Sequence, residues 1–168
     1  MKAAMCTKYG SPEVLVIRDI KTPIPKAHDI LIKNYACTVS TSDCYIRGFN
    51  ISPLYKPLMG LVLGFTKPRQ PVLGMDFAGE IVAIGQKVSN FSVGDQVFGF
   101  DRFGFGANAE YKRISETGII AKKPGSISFQ EAAAIPYGGL LALHYLRKGQ
   151  PQRGQCHQAR ENGRALLV

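Results

Sequence analysis

Glycine and proline recur at short intervals through the first 125 residues, from Gly10 and Pro12 to Pro68, Pro71 and Gly74. This punctuation leaves room only for short elements. The segments between the breaks have strand character. Residues 14–17 are rich in β-branched side chains. Residues 29–39 alternate, with Ile30, Ile32, Asn34 and Ala36 on one side and Leu31, Lys33, Tyr35 and Cys37 on the other. Residues 77–84, 96–100 and 109–115 read the same way. Strands at this spacing predict a closed or sandwiched sheet rather than alternating strand–helix units.

The pattern changes at Ser128. Ser128 and Glu131 have the spacing of a capping box, in which hydroxyl and carboxylate each satisfy the other residue's amide. A helix is expected from there. Pro136 lacks an amide proton and crowds the preceding turn, so that helix should stop or kink. A second helix is expected over about 139–148, where Leu140, Leu141, Leu143, Tyr145 and Leu146 make it apolar nearly all round. Residues 151–168 are polar and basic without a period, and are expected to form a disordered tail.

The 168 residues carry 21 Lys and Arg against 12 Asp and Glu, a formal net charge of +9. The basic residues are scattered or paired, as at Lys112/Arg113 and Lys122/Lys123, and read as a solvated surface. No run reaches the length of a nucleic-acid-binding arm, so no nucleic-acid partner is expected. The longest uncharged stretch, from Ala132 to Leu146, falls short of the ~18 apolar residues of a membrane span. With no apolar leader after Met1, a cytoplasmic protein with no membrane partner is the expectation. Cys6, Cys37, Cys44 and Cys156 form no Cys-x-x-Cys pair and read as reduced thiols.

Gly104-Phe-Gly106-Ala-Asn-Ala109 fits a loose dinucleotide-binding pattern. The residues that follow read as a strand, where that pattern requires a helix, so a glycine-rich hairpin is the better reading. Between Gly85 and Val97, Gly94 and Asp95 carry turn chemistry, with Val88 and Phe91 as apolar anchors.

Taken with Leu73-Gly-Met-Asp-Phe-Ala-Gly-Glu-Ile-Val-Ala-Ile-Gly85, this turn resembles the medium-chain dehydrogenase/reductase superfamily. Ala36-Cys-Thr-Val-Ser-Thr-Ser-Asp43-Cys-Tyr45-Ile-Arg-Gly48 and Ala132-Ala-Ala-Ile-Pro-Tyr-Gly-Gly-Leu-Leu-Ala142 extend the likeness over about residues 1–150. It implies a mainly β fold with added α, a GroES-like β-barrel followed by C-terminal helices. Zinc-dependent members have Cys, His and Glu where this chain has Ser40, Met75 and Asp76, which are not the ligands zinc prefers. The chain is more similar to the zinc-independent quinone oxidoreductase and zeta-crystallin branch.

That resemblance implies hydride transfer from NADP(H) to a quinone or an α,β-unsaturated carbonyl. It places Ser40 and Asp43 near the nicotinamide and Tyr45 in the substrate pocket, as a group that polarises the carbonyl or packs. Asp43 reads equally as a turn-stabilising carboxylate. Leu141 stands where the family has a cofactor-contacting Thr. The likeness ends at Cys156, so the Rossmann domain that follows in the family is expected to be absent, leaving the chain weak or inactive alone. An uncovered C-terminal helix would then promote self-association. The other reading is a non-catalytic GroES-like barrel that binds a ligand or a partner.

Overall fold

The computed structural model describes residues 1–150 in full, and the backbone alone at 158–161 and 164–167. The chain divides into two compact units, Met1–Pro136 and Tyr137–Val168.

In the first unit, strands β1 (Lys2–Cys6) and β2 (Leu15–Asp19) pair antiparallel, with the one-turn 3-10 helix Pro12–Val14 between them. The main sheet is antiparallel throughout. It comprises β3 (Asp29–Cys37), β4 (Asp76–Ile84), β5 (Gln96–Phe100), β6 (Tyr111–Ser115) and β7 (Ile119–Lys122), in the order β6-β3-β4-β5-β7. Single bridges from Ala3 to Ala109 and from Met5 to Val72 join β1 to the loops of that sheet. Helices α1 (Thr41–Gly48) and α2 (Lys56–Leu63) fill the connection between β3 and β4.

The core lies under the main sheet. Ile30, Ile32, Phe77, Ile81 and Val97 are fully buried, with Val88 and Phe91 packed at the edge, so the turn anchors read from sequence do serve the core. Leu31 is buried as well, so the start of β3 is covered on both faces rather than alternating. Gly79 sits where β4 crosses β3, and a Cβ there would stand 2.1 Å from the Lys33 carbonyl oxygen.

Ser128 and Glu131 form the expected box. The Glu131 carboxylate accepts from the Ser128 amide at 2.7 Å and from its hydroxyl at 2.8 Å, and the Glu131 amide donates back at 3.2 Å. Helix α3 (Phe129–Gly149) starts there, and Ala132 and Ala133 bury its first turns against Ala78 of β4. The expected stop at Pro136 is not seen. One helix runs through it, and the proposed second helix over 139–148 is its continuation. Proline removes one backbone hydrogen bond, and here Pro136 is buried, so packing offsets that loss.

In the second unit, Leu140, Leu141, Leu143 and Leu146 of α3 are each at least 40% exposed. Strands β8 (Gln158–Glu161) and β9 (Arg164–Leu167) pair antiparallel. The expected disorder of the tail falls otherwise on 151–157, 162–163 and 168, which lie outside the described residues.

Candidate functional site

The N-terminus of α1 carries three of the four candidate residues. Ser40 is its N-cap, and with Asp43 it makes a second capping box. Asp43 Oδ2 accepts from the Ser40 amide at 2.8 Å and from the Ser40 hydroxyl at 2.9 Å. Its other oxygen accepts from the Gly74 amide at 3.1 Å, and the side chain is only 5% exposed. Asp43 therefore ties the start of α1 to the chain entering β4. Its carboxylate is engaged on both oxygens by the fold itself, as the turn-stabilising reading expected.

Gly74 is where this tie meets a second loop. Its φ of 89° suits glycine, and a Cβ there would lie 2.4 Å from Asn108 Oδ1. The amides of Gly106, Ala107 and Asn108 donate to the carbonyls of Val72, Gly74 and Leu73, at 3.0, 3.1 and 3.0 Å. The Gly104 amide donates to Asp101 at 2.7 Å. Four backbone donors of the dinucleotide-like stretch are thus already satisfied, and β6 follows it where a helix would be required. This stretch is a structural loop and offers no phosphate cradle.

Lys112 holds the same loop from beneath. Its ammonium pairs with Asp101 at 2.8 Å, donates to the Phe105 carbonyl, and lies 5.6 Å from the centre of the Phe77 ring. Burial lowers its pKa, and the Asp101 charge and hydrogen bond push it back up. The sequence reading placed Lys112 on a solvated surface, and the structure corrects this. In β6 it shares the inward face with Ile114, two residues on, so strand alternation held the signal.

Tyr45 lies two residues beyond Asp43 on α1. At 3.6 residues per turn the two side chains leave the helix roughly 200° apart. Their exposures, 5% and 54%, agree. The structure therefore joins Ser40 with Asp43 and sends Tyr45 off the side of α1 opposite Asp43. Leu141 lies on α3 in the second unit and is 40% exposed.

At the positions of the family's metal ligands, Met75 and Asp76 are buried, and Asp76 Oδ2 accepts from the Thr38 hydroxyl at 3.0 Å. The nearby Cys37 is an exposed residue whose thiol pKa is pushed up, first by desolvation and then by the negative Asp43. Among the described residues, no group of three or more His, Cys, Asp or Glu is placed to hold a metal ion.

An antiparallel sheet curled over one core, with a short capped helix between its first two strands, defines the GroES-like fold of dehydrogenase catalytic domains. The alcohol dehydrogenase GroES-like domain family matches residues 26–144. Quinone oxidoreductase of Lama guanicoe is 39% identical over 141 residues, covering 82% of this chain and 38% of that protein. The quinone oxidoreductase structure from Coxiella burnetii superposes with a TM-score of 0.77 at 31% identity, over 92% of this chain and 46% of that one. That of Escherichia coli quinone oxidoreductase complexed with NADPH gives 0.74 at 27% identity, over 89% and 41%. The chain belongs to the alcohol dehydrogenase GroES-like domain family, within the quinone oxidoreductase-like branch of the medium-chain dehydrogenases/reductases, a family of NAD(P)H-dependent oxidoreductases. It spans about 40% of the length of the curated relatives it matches.

Proposed function

We propose that these residues form the substrate-side domain of a zinc-independent, cytoplasmic oxidoreductase that reduces a quinone or an α,β-unsaturated carbonyl with NADP(H). The observation that carries this reading is the state of the Ser40 hydroxyl. It donates to Asp43, and the capping box takes one of its two lone pairs. One lone pair remains, and it suits the amine of a nicotinamide carboxamide. Asp43 holds the hydroxyl in that sense without touching the cofactor.

The residues present fit the nicotinamide end of the cofactor alone, because the amides of 104 and 106–108 are already used. When bound, the dinucleotide supplies the hydride. The chain's own contribution is to fix the ring through Ser40 and to present the half-exposed Tyr45 hydroxyl to the substrate. There Tyr45 donates a hydrogen bond to the carbonyl oxygen and stabilises the charge that develops on it.

The 168-residue chain alone should be weak or inactive, and the apolar residues of α3 beyond Pro136 should promote self-association. Replacing Leu140 and Leu143 with Gln should reduce both association and hydrophobic-dye binding. The catalytic reading is tested by joining the nucleotide-binding domain of a relative after residue 154 and assaying NADPH-dependent enone and quinone reduction. Reduction should appear, and Tyr45→Phe should lower kcat by up to ~10²-fold. A fusion that binds NADPH but reduces neither substrate would overturn the reading.

A further inference from the structure

Helix α2 is apolar and unusually exposed, although it is firmly held. The Tyr9 hydroxyl lies 3.1 Å from the Leu63 carbonyl oxygen and 2.9 Å from that of Gly64, closing the C-terminal end of the helix. The Tyr9 ring stacks on Phe49, with centroids 4.5 Å apart. The Arg69 amide donates to the Leu63 carbonyl at 2.7 Å, and Cys6 pairs with Pro71 at 2.6 Å. The C-terminal end of α2 and the residues after it are therefore tied to Tyr9 and to β1.

Its outer face is nonetheless left to water. Leu54 is 80% exposed, Leu58 and Leu61 are each 61%, Val62 is 49% and Phe65 is 62%. Within α2, Leu58, Leu61 and Val62 follow the spacing of one helical face, and Leu54 and Phe65 flank the helix outside it. Exposure of this much aliphatic surface in one contiguous place marks an interaction site.

Charge identifies the kind of partner. No Asp or Glu occurs between Asp43 and Asp76, whereas Lys56, Lys67 and Arg69 all lie exposed around the apolar face. A second copy of the chain is disfavoured, because a two-fold contact would set these cations against their own images. Exposed leucines flanked on both sides by exposed cations, with no acidic residue near in sequence, instead complement an anionic bilayer surface, where apolar side chains enter and cations meet the headgroups. No helix among the described residues is long and apolar enough to cross a membrane, so contact would be in the plane of the surface.

We propose that α2 and its flanking lysines and arginine form a peripheral membrane-docking surface for anionic phospholipid bilayers. Leu58, Leu61 and Phe65 enter the acyl boundary, and Lys56, Lys67 and Arg69 meet the phosphate and carboxylate headgroups. Each basic residue near such a surface contributes about a fivefold gain in partition, and salt weakens that gain. This inference does not depend on the hydride-transfer reading. It departs from the sequence expectation of no membrane partner in proposing surface contact, not spanning.

The test is flotation of the full 168-residue chain with vesicles of phosphatidylcholine alone, or containing about one third phosphatidylserine. The chain should float with the anionic vesicles, and raised salt should release it. Leu58→Asp with Leu61→Asp should abolish flotation. Lys56→Gln with Lys67→Gln should reduce it by about 25-fold, two factors of five. These side chains are exposed, so the variants should keep the parent melting temperature, and Ile24→Asp, at a residue 81% exposed on another segment, should float like the parent. Failure to float with anionic vesicles would overturn the proposal. So would equal binding to phosphatidylcholine alone, or binding that survives the double aspartate variant, which would assign it to α3 or another surface.

Discussion

The chain uses the same local device twice. Ser40 with Asp43 and Ser128 with Glu131 are both a serine N-cap followed three residues later by a carboxylate that bonds back to it. At α3 the box is exposed and serves the helix alone. At α1 the carboxylate is buried and makes one more bond, to Gly74, across the chain from a residue 31 positions away. That bond turns a helix start into a joint linking α1, the entry to β4 and the loop over Lys112. The hydroxyl that α1 presents belongs to a box tied into this joint, whereas the box of Ser128 stands exposed on its own. Only tertiary placement separates a helix signal from a positioned candidate-site residue.

The largest expected effect removes the extra bond. Asp43→Ala deletes both box contacts and leaves the Gly74 amide without its carboxylate, at a cost of about 3 kcal/mol. Urea denaturation reads it as a lower midpoint at unchanged slope. Ser128→Ala should cost about 1 kcal/mol, as for an ordinary N-cap. Equal losses for the two variants would dissolve the distinction between the boxes.

A smaller effect follows pH. The amide and hydroxyl of Ser128 lower the pKa of Glu131 below its ordinary 4.5. The amides of Ser89 and Asn90, and then His28, do the same for Glu116. A depressed folded pKa means that the unfolded chain takes up protons first. The stability these carboxylates contribute is therefore complete above pH 4.5 and is lost as pH falls through and below that value. The urea midpoint should decline between about pH 5 and pH 3. Glu131→Gln should flatten the decline by the share belonging to the exposed box, and an unchanged slope would show that this box carries no linked charge.

Much of this was legible in sequence where the cause is local. The Ser128 box, the strand Gln96–Phe100 and the anchors Val88 and Phe91 all follow from short-range pattern. The likeness to the family carried Ser40, Asp43 and Tyr45 to one segment. It could not say that Asp43 turns inward while Tyr45 turns outward, because that depends on α1 being a helix, which its polar, Cys-containing sequence hardly announces. Pro136 misled as to a stop, since the helix runs on through it at a buried site. Lys112 misled because its partners, Asp101 and the Phe105 carbonyl, are brought beneath the sheet by a loop whose shape no pattern in the sequence states.

On the reading we propose, these residues would meet only the nicotinamide end of NADPH, since the amides of Gly104, Gly106, Ala107 and Asn108 are already bonded and leave the pyrophosphate without a cradle. Calorimetric titration of the 168-residue chain with NADPH tests it most directly. The expected Kd is about 1 mM or weaker. A micromolar Kd would contradict it, because so tight a complex would require a phosphate site within these residues that the bonded loop does not provide.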